Sequence, residues 1–116
     1  MRYSIVFAVM ASMATPAAAQ SDTSSGNYML PYCQAWIQGG IPRDTGMAGV
    51  CAGAISALVY VGHVLPGAVR FCVPRNTPNG QHQRVFLAYL ERNPQSLHMN
   101  FNELALNAMR EAWPCP

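Results

Sequence analysis

Four cysteines, Cys33, Cys51, Cys72 and Cys115, constrain this chain more than any other feature. What they mean depends on the compartment, and the N-terminus indicates which one. Arg2 precedes an uncharged apolar run, residues 5–14 (IVFAVMASMA), followed by TPAAAQ. A basic start, a short apolar core and a small-residue A-x-A site are the three parts of a secretory signal peptide. The run is shorter than the roughly 20 residues a bilayer crossing needs. Residues 1–19 are therefore expected to be removed before Gln20, with Ala17 and Ala19 at the cleavage site and no cysteine following to carry a lipid. The rest, residues 20–116, is one domain's length. A domain this small buries only about 60% of its unfolded surface, so cross-links matter. All four cysteines survive cleavage and none forms a C-x-x-C pair. An even count in a short exported chain reads as two disulfides.

Residues 20–26 (QSDTSSG) are small and polar, read as a disordered leader, so the folded domain is expected over residues 27–116. Four helical stretches follow, with no strand alternation. The first spans about 28–38, with Asn27 as its cap, Pro31 in its first turn and Gly39–Gly40 as its stop. The second spans about 45–65, capped by Asp44 and ended by Pro66–Gly67. Met47, Val50, Cys51, Ala54, Leu58, Val61 and Leu65 recur along it at three- and four-residue steps. No charge occurs from Gly46 to Val69. A helix apolar nearly all round is a membrane span or a core helix. Its glycine, alanine and serine content and its cysteine favour a buried central helix without stable membrane insertion, with Gly49, Gly53 and Gly62 admitting close neighbours.

A turn-rich loop then leads to a third helix over about 78–92, capped by Thr77 with Pro78 at its first position. Val85, Phe86, Tyr89 and Leu90 form its apolar face, and Asn93–Pro94 ends it. The fourth spans about 101–113. Asn100 caps it, Glu103 completes a capping box, and Met99 and Leu104 flank the start as a staple. The fold class is thus all-α, a small bundle of four to five helices in two helical hairpins.

Four cysteines allow three pairings, and sequence alone does not choose among them. A hairpin arrangement does. Cys33 and Cys51 lie nearly equally far from the first turn, while Cys72 and Cys115 bracket the open end of the second hairpin. The expected disulfides are Cys33–Cys51 and Cys72–Cys115, the second latching the C-terminal WPC to the loop before the third helix.

Catalytic patterns are poor. His63, His82 and His98 lack the short spacing of zinc ligands and read as surface or turn residues. Ser56 and His63 are two helical turns apart, about 10.5 Å, too far for proton transfer. Ser96 and His98 share a tight turn whose backbone they can serve. Glu91, Glu103 and Glu111 read as solvated faces or caps, and no glycine-rich segment fits a phosphate loop. No cofactor is implied. The expected mature chain carries six arginines, no lysine and five acids, without the basic run that nucleic acid or an anionic membrane would select. What remains is surface. Arg70, Arg75, Asn76 and Asn79 on the loop, with Gln81 and Arg84 at the start of the third helix, form a candidate partner-binding face.

The segment from Cys72 to Cys115 resembles the Rap/Tai family of type VI secretion immunity proteins. Carrying the likeness are Cys72-x-Pro74, Gly80-Gln81, Tyr89-Leu90, Pro94-x-x-Leu97-His98, Ala105-Leu106 and the closing Trp113-Pro114-Cys115. The first half fits more loosely, through the cysteine of helix one and Cys51-x-Gly53, and departs at Ala54, where an aromatic is expected. The resemblance implies a helical, disulfide-bonded, non-catalytic periplasmic protein, often a homodimer. It implies one cognate toxin as partner, in known cases a peptidoglycan amidase. The competing reading from the residues is a small disulfide-linked periplasmic chaperone or stress protein.

Overall fold

In a computed structural model, residues 22–39 and 45–116 are described. Four α-helices carry the described residues: α1 (Gly26–Gln38), α2 (Thr45–Val61), α3 (Asn79–Arg92) and α4 (Phe101–Ala112). Short 3-10 turns follow α2 at Gly62–Val64 and α3 at Pro94–Ser96. The all-helical expectation holds, as do both disulfides, Cys33–Cys51 and Cys72–Cys115. The proposed signal segment and the Asp44 cap lie outside the described residues.

Helix α1 starts earlier than its sequence suggests, and for a tertiary reason. Backbone N–H groups at its start are spent on the α3–α4 connection: Gly26 donates to the Met99 carbonyl at 3.0 Å and Asn27 to that of Leu97 at 2.7 Å. Phe101 donates in return to Ser24 at 2.7 Å. With these two N–H groups satisfied from outside, the helix starts at Gly26 and Ser25 becomes the cap. Its hydroxyl accepts from the Tyr28 N–H at 3.2 Å and donates to the Asp22 carbonyl at 3.1 Å. The end of the expected leader is thus part of the fold, with Ser25 and Gly26 buried. Asp22 is fixed at its own carboxylate by the Ser24 hydroxyl at 2.6 Å and the Ser24 N–H at 2.9 Å, and these bonds hold its pKa below the usual value. Because the helix begins at Gly26, Pro31 falls inside it rather than in the first turn. Its missing N–H leaves the Asn27 carbonyl without a helical donor, at a level where both residues are exposed and water can serve. Gly39, at φ 77°, ends the helix in the left-handed region.

The core gathers Met29 and Cys33 of α1, Cys51 and Ile55 of α2, Phe86 and Leu90 of α3, and Phe101, Leu104, Ala105, Ala108 and Met109 of α4. Phe86 and Phe101 meet edge-to-face across α3 and α4, ring centroids 5.3 Å apart. The α3 cap is simpler than expected. Pro78 occupies it without a side-chain bond, while the Thr77 hydroxyl turns back to the Pro74 carbonyl at 2.7 Å and closes the 74–77 turn. Asn100 caps α4 as expected, accepting from Asn102 at 2.9 Å. At the other end of that helix the latch is doubly made. Beside the Cys72–Cys115 bond, the Cys72 N–H donates to the Trp113 carbonyl at 2.8 Å.

Helix α2 departs most from expectation. It is not a buried central helix. Only Ala48, Cys51 and Ile55 are buried along it, and 22% of its most apolar stretch is buried. Thr45–Val64 is long and apolar enough to cross a membrane, yet here the Cys33–Cys51 bond seats it against α1. A helix apolar on every side cannot announce which side faces inward. The disulfide decides, and it turns Val50, of the expected inner face, half outward at 49% exposure. Gly49 and Gly53 admit no neighbour, since a Cβ on either would meet open space. Gly62 alone of the three does what was expected of it. A Cβ there would run into the ring of Phe71, a loop residue that is wholly buried.

Candidate functional site

The loop between α2 and α3, residues 65–78, carries the polar face read from the sequence, and the fold divides that face. Arg70 lies on one side. Its Nε donates to the Leu65 carbonyl at 3.1 Å, and it shares a shallow cleft of about 400 Å³ with Gly67, Arg110, Pro114, Cys115 and Pro116. Arg75 and Asn76 lie on the other. They border a second cleft, about 550 Å³, with Val59 of α2, His63 of the 3-10 turn after it, Val73, Pro74 and Thr77 of the loop, and His82 of α3. Asn79, Gln81 and Arg84 are exposed at the start of α3 and line neither cleft. Asn76 adopts φ 66°, a left-handed position that asparagine tolerates at a turn.

His82 corrects the sequence reading. It is no surface residue: it is 4% exposed, and neither ring nitrogen has a hydrogen-bond partner among the described residues. Its ring stands edge-on to Trp113, centroids 5.6 Å apart, so the latch and the histidine pack on each other. Burial holds its pKa below the usual histidine value. An orphaned buried donor or acceptor costs about 1–3 kcal/mol, an expense a fold retains only where something offsets it. The signal for its burial was in the sequence: His82, Phe86 and Leu90 recur at four-residue steps on α3, and all three are buried. His63 and His98 are exposed, as expected, with His98 Nδ1 3.1 Å from the Gln95 carbonyl.

The outer side of α2 is the other conspicuous surface. Gly46, Gly49, Val50, Gly53, Ala57, Tyr60 and Val64 are exposed and succeed one another at helical steps, opposite the buried Ala48, Cys51 and Ile55. Tyr60 is 80% and Val64 68% exposed, on a stripe without a charge. Val50, Tyr60 and Val64 are the large apolar side chains that this face exposes.

No group of three or more histidine, cysteine or carboxylate side chains among the described residues could hold a metal ion. What the described residues present is surface: one polar loop pinned by a disulfide, and one apolar helix face. The family model described as Rap1a immunity proteins matches residues 12–115. The chain belongs to the Rap1a immunity family. No curated protein and no solved structure matches it. Membership gives the functional class, immunity toward a secreted effector, in a family that is generally not catalytic. The Rap1a match spans both hairpins, so the first half of the chain, where the sequence likeness was looser, falls within the family as well.

Proposed function

We propose that this Rap1a family member is a periplasmic immunity protein that neutralises a cognate type VI effector, such as a peptidoglycan amidase, by binding it directly. The observation that carries the reading is the family match across residues 12–115. The two disulfides suit an oxidising compartment, and the basic and apolar N-terminus supplies an export signal cleaved before Gln20.

The effector-facing surface in this reading is the loop and the start of α3: Arg70, Arg75, Asn76, Asn79, Gln81 and Arg84. Cys72 and the 74–77 turn fix this segment before any partner arrives. A pre-ordered segment loses little conformational entropy on binding, so more of its contact energy appears as affinity. The exposed face of α2 takes a second copy of the chain. A two-fold contact sets the same patch against itself, which an uncharged stripe with open glycines at Gly49 and Gly53 permits without like-charge repulsion.

The test is capture of an effector from secreted and periplasmic extract on the oxidised chain, residues 20–116, in high salt. One stoichiometric partner with a wall-degrading domain, lost with Arg75→Glu and Arg84→Glu, is the expected result. A broad set of unfolded clients would instead support a chaperone, a reading that the exposed apolar face of α2 also favours. Sedimentation of the same protein reads the second contact: Val50→Glu with Tyr60→Glu converts dimer to monomer, and a monomeric parent removes that part of the reading.

A further inference from the structure

Among the described residues, His82 is the buried side chain that can take up a proton near neutrality, and the immunity reading does not use it. Three features of its surroundings bear on what a proton would do there. Neither ring nitrogen reaches solvent or a hydrogen-bond partner, so the ring in its observed position has nothing to receive the charge of a second N–H. The ring nevertheless borders the cleft beside the 74–77 turn, so rotation of the side chain carries its nitrogens out of the interior into open space of about 550 Å³. Its edge-on neighbour is Trp113, the residue that closes α4. The Trp113 N–H donates to the Met109 carbonyl at 2.9 Å, and its own carbonyl accepts from the Cys72 N–H at 2.8 Å.

We propose that His82 is the trigger of an acid-operated latch: a proton on its ring swings the imidazolium into the cleft, withdraws it from Trp113 and releases the end of α4 from the Cys72 backbone, while the Cys72–Cys115 disulfide keeps the opened segment tethered. What faces the ring favours expulsion over protonation in place. The cleft contributes His63, neutral or cationic, and Arg75, cationic. Helices α1 and α2 contain no acid. On α4, Glu111 is spent on Arg92 at 2.9 Å, Arg110 lines the other cleft, and Glu103 lies in the first turn, far from Trp113. On α3, Arg84 is exposed, and Glu91, nine residues on, accepts from Gln34 at 3.3 Å. No carboxylate among the described residues therefore stands where it could hold the imidazolium in place.

The sign follows from where the ring titrates. Opened, it has the ordinary histidine value of about 6.5; closed, burial holds it lower. Below about pH 6.5 the opening equilibrium therefore rises, by up to about tenfold per pH unit, until the closed ring would itself be protonated. Cys72 anchors the loop that carries Arg75 and Asn76, so an open latch loosens the effector-facing segment in acid. That consequence rests on the immunity reading; the opening itself does not, and the experiment reads the opening without an effector.

The test is a pH series on the oxidised chain, from about 7.5 to about 4.5. NMR follows the His82 ring and the Trp113 indole. Amide exchange, corrected to protection factors, follows the Trp113 and Cys72 N–H groups, with those of Gly26 and Asn27, bonded beside the start of α4, as the reference. The His82 ring and the Trp113 indole are expected to titrate with one midpoint, below about 6.5. Protection at Cys72 and Trp113 is expected to fall by up to about tenfold per pH unit while that at Gly26 and Asn27 holds. His82→Leu, which keeps an apolar group against Trp113, is expected to keep the latch protected across the series. A ring that does not titrate, a ring that titrates with the latch amides unmoved, protection falling equally at all four amides, or the same loss in a folded His82→Leu would each overturn the proposal. The first three outcomes are read on the parent chain and decide the matter even where the variant does not fold.

Discussion

Removing the C-terminal latch should cost this domain a large part of its stability, by an amount set by topology. Cys72 and Cys115 are 43 residues apart in sequence. Closing a loop of that length removes unfolded-state entropy worth about 4 kcal/mol at 25 °C, against about 3 kcal/mol for the 18-residue separation of Cys33 and Cys51. Domains of this size have total stabilities of about 5–15 kcal/mol, so the paired change Cys72→Ala with Cys115→Ala should remove about a quarter or more of the total. The two positions are only partly buried, which keeps the packing contribution of the substitution small. Urea denaturation followed by far-ultraviolet circular dichroism, under non-reducing conditions, reads the effect. The midpoint should fall, and the slope should rise because the uncrosslinked unfolded chain exposes more surface. In a thermal scan the same loss corresponds to a drop of roughly 20 °C. A loss below about 1.5 kcal/mol with an unchanged slope would refute the reasoning. It would mean that the Cys72 N–H bond to Trp113 and the packing of that ring on His82 hold the end of α4 without the disulfide.

Three further outcomes are expected. Gly62→Ala pushes into the Phe71 ring and should cost about 1–3 kcal/mol, Phe71→Ala about 3–5 kcal/mol; because the two groups touch, the double variant measured in the same urea assay should lose less than the sum. Ser25→Ala deletes the α1 cap and its bond to Asp22 and should cost about 1 kcal/mol, with faster amide exchange at Tyr28 as the local readout. Burial depresses the His82 pKa, so the unfolded chain takes up a proton that the folded chain refuses. Stability should therefore be full above the ordinary histidine value of about 6.5 and decline as pH falls from there to the depressed folded value. Arg75 and His63 border the same cleft and no acid does, so nothing there offsets the charge. His82→Leu should flatten that acid limb in a pH series of urea midpoints, and a limb that persists would place its origin elsewhere.

Much of this architecture was legible from the sequence because it is written in local chemistry. Asn100 names the start of α4, Gly39 the end of α1, and Asn93–Pro94 the end of α3, each through a backbone requirement that holds whatever the surroundings. The disulfides were legible once hairpins were assumed, because equal distance from a turn is a statement about chain geometry alone. The candidate polar face is divided by the fold. Its residues are exposed, but the loop's path sends Arg70 to one cleft and Arg75 and Asn76 to another. Periodicity contained His82, at the four-residue step before Phe86 and Leu90, and its polarity argued against using it.

The sequence by itself determined the class of fold, the four helices, and the two cross-links that a small core requires. Tertiary structure decided three things. Ser25 rather than Asn27 caps α1 because the Met99 and Leu97 carbonyls, about 70 residues further on, take the N–H groups of Gly26 and Asn27 and let the helix begin before Asn27. Phe71, with no periodic neighbours to announce it, is buried because Gly62 leaves room for its ring. Helix α2 faces inward by Ala48, Cys51 and Ile55 and outward by Val50, Tyr60 and Val64. An all-apolar helix carries no pattern to orient it, and only its covalent and packing partners break the symmetry.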